Sequence, residues 1–174
     1  MSQEVGESGM ATGSYIPPLA TNETGRQQAV DRAIGKARTV HKKLQKLVDE
    51  AAERFHTPMA ALSIIDNQRQ WFAATHGFDD PETPRAISFC AHAILDPDEV
   101  LVVGDATQDR RFATNPVVRF KPNVRFYAGA PVVDEDGFAL GALCVIDQQA
   151  RLPEVDREFL ASLAREASRL LAEG

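Results

Sequence analysis

Val124-Arg125-Phe126-Tyr127-Ala128-Gly129-Ala130-Pro131-Val132-Val133, the turn Asp134-Glu135-Asp136-Gly137 and the return Phe138-Ala139-Leu140-Gly141-Ala142-Leu143-Cys144-Val145-Ile146-Asp147 fix the architecture of this chain. In the first arm Val124, Phe126, Ala128, Ala130 and Val132 share one parity, and Tyr127, Gly129 and Val133 the other. In the second, Leu140, Ala142, Cys144 and Ile146 oppose Ala139, Gly141, Leu143 and Val145. Both parities are apolar, so neither face of the pair can be left in water, and the arms read as interior strands of a sheet covered above and below. The acidic Asp-Gly turn joins neighbours, which makes the pair antiparallel.

The rest of the chain must supply two covers. From about Ala29 to Phe55 the apolar positions Ile34, Val40, Leu44, Leu47, Val48, Ala51 and Phe55 recur at helical spacing, with Lys42, Lys43, Lys46, Glu50 and Glu53 opposite. Thr57-Pro58 stops that helix, and Met59–Ile65 and Gln70–Thr75 form a second hairpin around Asp66-Asn67-Gln68-Arg69. Residues 77–123 hold a Pro- and Asp-rich loop, a short helix over Phe89–Leu95 capped by Ser88, a short strand over Val100–Val103 and a turn broken by Asn115-Pro116. After Asp147, Pro153 suits the start of a final helix with Val155, Phe159, Leu160, Leu163, Ala167, Leu170 and Leu171 on one stripe. The expectation is an α+β fold: a central antiparallel sheet of five to six strands, with the terminal helices on one face and loops and short helices on the other. Residues 1–28, rich in Gly, Ser, Thr, Glu and Gln, read as a disordered arm, and residues 29–174 as a single domain.

Composition narrows the function. A chain of 174 residues with 44% hydrophobic residues is the size of one domain with a useful core. A net charge of -6 with scattered Lys and Arg speaks against nucleic acid or an anionic membrane as partner. No apolar run is long enough to span a bilayer and no secretory signal is visible, which points to the cytoplasm. Two cysteines inside apolar stretches do not make a disulfide framework, although one bridge between them is open in principle.

Several motifs in order resemble the GAF domain, a sensory fold related to PAS. They are Gln70-Trp71-Phe72, Glu82-Thr83-Pro84-Arg85, Ser88-Phe89-Cys90-Ala91-His92-Ala93-Ile94, Asp105-Ala106 with Arg111-Phe112, Asn115-Pro116, Phe126 through Pro131, and Gly141 through Asp147. The resemblance runs from about Ala37 to Leu171 and is strongest to bacterial GAF modules on the N-terminal side of signalling enzymes. It implies a non-catalytic sensory or regulatory domain with a small-molecule pocket on the loop-covered face. It also implies a homodimer through the terminal helices and a signalling protein as partner.

The ligand-binding candidates on those segments are Trp71, Arg85, Phe89, Cys90, His92, Asp105, Phe112, Asn115 and Tyr127. The aromatics could stack on a planar ligand or fill space, and Arg85, Arg111 and Arg125 could orient an anionic ligand or pair with loop carboxylates. Cys90, in the first turn of its helix, is either a reactive thiol or a buried packing residue, and packing is the commoner use. Residues i and i+2 of a helix point apart, so Cys90 and His92 do not form a nucleophile–base pair. Cys-x-His with His41, His56 and His76 far apart lacks metal-ligand spacing. The catalytic alternative is a thiol-dependent enzyme using Cys90, like the free methionine sulfoxide reductases of GAF fold, but their cysteine-bearing Gly-rich loop is not found here. A covalent bilin would need a cysteine within Thr114–Val124, which has none. The cyclic-nucleotide motif of other GAF domains is not matched, and only His92 is placed for haem.

Overall fold

The two hairpins lie side by side, so the interior of the sheet is built from residues that are apolar on both faces. The computed structural model describes residues 15–173. Its six strands are β1 (Met59–Ile65), β2 (Arg69–His76), β3 (Glu82–Pro84), β4 (Leu101–Val103), β5 (Phe126–Val133) and β6 (Ala139–Asp147). They form one sheet in the order β3-β2-β1-β6-β5-β4, with every neighbouring pair antiparallel. The expected α+β fold is the observed one. The β5–β6 turn is held by Asp134, whose Oδ1 accepts from the backbone N–H of Asp136 and Phe138 at 3.0 and 2.9 Å. Pro131, which has no N–H, lies past the end of β4, which reaches only Tyr127–Gly129 of β5.

One face of the sheet carries three helices: α1 (Glu23–Thr39), α2 (His41–Phe55) and, at the end of the chain, α5 (Arg157–Glu173). Leu44, Val48 and Ala51 of α2 and Leu160, Ala167 and Leu171 of α5 pack on Leu62, Ile64, Phe126, Ala128, Leu143 and Val145. Each fully buried Leu, Val or Phe there contributes about 1.5–3 kcal/mol of transfer free energy. The opposite face is covered by α3 (Cys90–Ala93), α4 (Pro116–Arg119), two 3-10 turns (Arg85–Ile87 and Ala106–Gln108) and their loops. The division of covers read from the sequence therefore holds.

Three local readings are corrected. The single helix expected from Ala29 is two, meeting at Val40 (φ -102°, ψ 21°). The β-branched pair Thr39-Val40 is a weak helix former, and the bend lets His41 Nδ1 approach the Ala73 carbonyl at 2.9 Å while Gln45 donates to that of Thr75. The final helix starts at Arg157, not Pro153, because Asp156 Oδ1 accepts the Phe159 N–H at 3.0 Å and caps it. Of the residues expected to form a disordered arm, 1–14 lie outside the described residues and 23–28 are helical: Asn22 caps α1 by accepting from Gly25 N–H, and α1 begins at Glu23.

That first turn is built on charge. Arg26, 1% exposed, donates to the carbonyls of Ala139 and Ile65 and pairs with Glu23, and Glu23 also receives Arg85 at 2.6 Å. Burial works against ionisation of Glu23, but the hydrogen bonds from Arg85 and then Arg26 outweigh it and hold the carboxyl at about 2 against the usual 4.5. A lowered folded-state pKa gives stability that is complete above the unfolded value and lost as pH falls towards the folded one. Acid titration followed by circular dichroism should therefore show wild-type stability declining between about pH 4.5 and 2. Glu23→Gln should flatten that limb, and an unchanged limb would remove Glu23 as its source.

Candidate functional site

The loop-covered face is only partly filled. Between the sheet and its cover lies a cavity of about 660 Å³. Its floor is Tyr127, Cys144 and Ile146 with Phe72 of β2, its inner wall is Cys90 of α3 and Phe89 just before it, and Val117 of α4 with Lys121-Pro122-Asn123 overhangs it. Phe78 meets Phe72 edge-on, with ring centres 5.0 Å apart. The lining is mainly apolar, with Asp80, Thr83, Lys121, Asn123 and Gln148 supplying polar groups.

A short hydrogen-bonded relay fixes one wall. Gln70 Nε2 donates to Thr83 Oγ1 at 3.0 Å, its Oε1 accepts from the Ser88 hydroxyl at 2.8 Å, and Ser88 Oγ accepts the Ala91 N–H at 3.0 Å. Ser88 is thus the cap read from the sequence, and it locks α3 to β2. On the floor, the Tyr127 hydroxyl donates to Cys90 Sγ at 3.0 Å. The ring reaches Cys90 because it lies over Gly129, where a Cβ would stand 2.1 Å from the hydroxyl oxygen. Three neighbours bear on Cys90: burial raises its pKa, but Cys144, Ser63 and Tyr127 lower it and the net direction is down. Cys144 moves up, through its hydrogen bond to Cys90 and its burial. Tyr127 also moves up, through burial and then the charge of Cys90.

The structure brings Phe89, Cys90 and Tyr127 of the sequence candidates to the cavity and places the other six elsewhere. Trp71 faces the helices, packed in that core with Arg38 over its ring at 5.5 Å, and Phe72 takes the cavity position. Both faces of β2 are apolar, so parity alone could not say which residue meets the loops. Phe112 stands behind the wall, stacked on Phe89 with ring centres 4.0 Å apart. His92 points away from Cys90, as the i, i+2 spacing requires, and meets the Phe112 ring and the Tyr15 carbonyl. Burial lowers its pKa. Asp105 caps a 3-10 turn through Thr107 N–H. Asn115 is buried, accepting from Val117 N–H and donating to the Ile87 carbonyl, and so ties two lining residues together from behind.

The arginines do not serve as anion receptors. Arg85 is held by Glu23, Arg111 by Asp109 at 2.8 Å, and Arg125 by the carbonyls of Val118 and Val124. Gln70, Phe72, Phe78 and Ile146 line the cavity without being among the ligand-binding candidates of the sequence; the alternation of Gln70 and Phe72 with Trp71 was the signal available. Among the described residues no group of three or more His, Cys, Asp or Glu could hold a metal ion, and no helix is long and apolar enough to cross a membrane.

A six-stranded antiparallel sheet with a helix layer on one side and a loop-roofed cavity on the other defines an α+β domain with a pocket on its loop-covered face. The family is then direct: residues 39–171 match the GAF domain model, and the chain belongs to the GAF domain family. It is 44% identical over 142 residues to the cyclic di-GMP phosphodiesterase PA2567 of Pseudomonas aeruginosa, covering 82% of this chain and 24% of that protein. The chain thus spans about a quarter of that relative's length. Among solved structures it is similar to the type II free methionine-R-sulfoxide reductase of Thermoplasma acidophilum, with TM-score 0.63, 15% identity, and coverage of 79% of this chain and 96% of that one. It is also similar to the GAF domain of the Acinetobacter phosphoenolpyruvate-protein phosphotransferase, with TM-score 0.61, 18% identity, and coverage of 85% and 93%. These last two likenesses are of fold.

Proposed function

We propose that this chain is a non-catalytic sensory module whose cavity takes a small, largely apolar molecule, and whose helices pass the effect of occupancy to a signalling partner. The cavity carries this reading: about 660 Å³ of space with an aromatic floor and a few polar groups is the form small-molecule sites take. The notion of an anionic ligand loses its basis, because the three arginines that suggested it are occupied and Lys121 is the basic side chain in the lining. A bis-phosphate such as cyclic di-GMP is accordingly a poor fit for the cavity. The likeness to a quarter of a cyclic di-GMP phosphodiesterase supports a regulatory role beside an output activity of that kind. The setting is a bacterial cytoplasm.

Pairing through the terminal helices is part of the proposal. Lys42, Lys43 and Lys46 are exposed on α2, and Glu158 and Glu173 on α5, so an interface that sets α2 of one copy against α5 of the other would join opposite charges and weaken as salt rises. The rival reading, a thiol enzyme working through Cys90, requires turnover of free methionine sulfoxide in the presence of a reductant.

Native mass spectrometry of freshly purified protein, followed by thermal shifts with uncharged aromatic compounds, tests the proposal. A retained small molecule or a saturable stabilisation is expected, together with a dimer that weakens as salt rises. Val117→Trp, which fills the cavity beneath α4, should abolish the stabilisation and leave the melting of the free protein within about 2 °C. A strict monomer with no retained mass and no response to any compound would sink the sensory reading, and methionine sulfoxide turnover would replace it with the enzyme.

A further inference from the structure

The two cysteines of the chain meet on the floor of the cavity. Both are free and 2% exposed, and both line the same space. They arrive from separate elements: Cys90 opens α3, while Cys144 lies in the middle of β6, paired with Gly129 on one side and Ala61 on the other. Packing alone would account for two small apolar residues there. It does not account for a buried tyrosine hydroxyl donating to one of the sulfurs at 3.0 Å, over a neighbour with no side chain.

We infer that Cys90 and Cys144 are a redox pair that closes to a disulfide across the cavity floor when a hydroperoxide enters. The thiolate of Cys90 attacks the terminal peroxide oxygen, an S–O bond forms, and the O–O bond breaks. The departing hydroxide or alkoxide takes up the proton released by Cys90. The sulfur of Cys144 then attacks the sulfenic sulfur, the S–S bond forms, and the hydroxide that leaves carries the Cys144 proton away as water. Two thiols lose two electrons and two protons, and the peroxide is reduced to water or an alcohol plus water.

The assignment of roles follows from surroundings. The Tyr127 hydroxyl donates to Cys90 Sγ at 3.0 Å and so favours negative charge on that sulfur, and Cys90 attacks. Cys144, fixed in the middle of β6 between Gly129 and Ala61, follows as the resolving thiol. The α3 helix is too short to act through its dipole, and the tyrosine does that work instead. The inference rests on the cavity and its sulfurs and holds whether or not the module binds a further ligand.

The test exposes the reduced full chain to hydrogen peroxide, quenches with an alkylating agent and maps peptides without reduction. In wild type a Cys90–Cys144 linked peptide is expected, and dithiothreitol should return both thiols. With Cys144→Ser, Cys90 should stop at the sulfenic acid and be captured by dimedone. With Cys90→Ser, Cys144 should stay reduced under the same exposure. Tyr127→Phe should slow oxidation of Cys90 about tenfold, because it removes the hydroxyl that donates to the attacking sulfur. Three wild-type results would each overturn the inference without relying on a variant: no linked peptide where free cysteine is fully oxidised, oxidation of Cys144 ahead of Cys90, or Cys90 passing to sulfinic acid with Cys144 still a thiol.

Discussion

Glu23→Ala should lower the stability of this domain by about 3–5 kcal/mol, the loss seen when one member of a buried ion pair is removed. The two guanidiniums it joins are among the most enclosed charges in the fold: Arg26 is 1% exposed and Arg85 5%. With the carboxylate gone, both buried cations keep only the carbonyl oxygens of Ala139, Ile65 and Asp66 and whatever water enters where the part-buried Glu23 stood. At about 2–4 °C per kcal/mol for a chain of this size, the melting temperature should fall by roughly 6–20 °C. Thr24→Ala, at an exposed neighbour, should change stability by less than about 0.5 kcal/mol. A Glu23→Ala protein melting within about 2 °C of wild type would show that α1 is not held by this network.

Gly141→Ala should cost about 3 kcal/mol, the upper part of the overpacking range. A Cβ on Gly141 would stand 1.8 Å from the Ser63 carbonyl oxygen, 2.7 Å from its carbon and 2.9 Å from Ile64 Cα. All three are backbone atoms of β1, which pairs with β6 through Ile64↔Gly141, so relief requires opening the central pair of strands. Gly35→Ala provides the opposite sign. That glycine lies inside α1 with nothing within 4 Å of an added Cβ, so alanine should stabilise by about 0.5–1 kcal/mol. Chemical denaturation of the two variants side by side measures both, and equal midpoints would refute the packing account.

Much of the fold was legible because it is written in local periodicity. Two hairpins, each apolar on both faces, demand two covers, and the stripes of α2 and α5 can supply one of them, so the loop-rich middle had to supply the other. Ser88 as a cap and the divergence of Cys90 and His92 follow from the geometry of a single helical turn. Phe89, Cys90 and Tyr127 were found because their segments had to lie on the covered face.

The remainder depended on contacts between distant segments. Leu140 shares a parity with Ala142 and Cys144, yet packs with the helices, because the β5–β6 register skips from Val132↔Gly141 to Val133↔Ala139 and leaves Leu140 as a bulge. Arg26 read as part of a polar arm, and its meaning lies in the carbonyls of Ile65 and Ala139, 39 and 113 residues away. Which of Trp71 and Phe72 meets the cavity, and whether Arg85 faces a ligand or Glu23, were likewise settled by partners that no window of sequence contains. Periodicity states that a face must be buried, and only the assembled sheet states against what: a one-residue bulge or one buried carboxylate is enough to redirect a side chain from the cavity to the core.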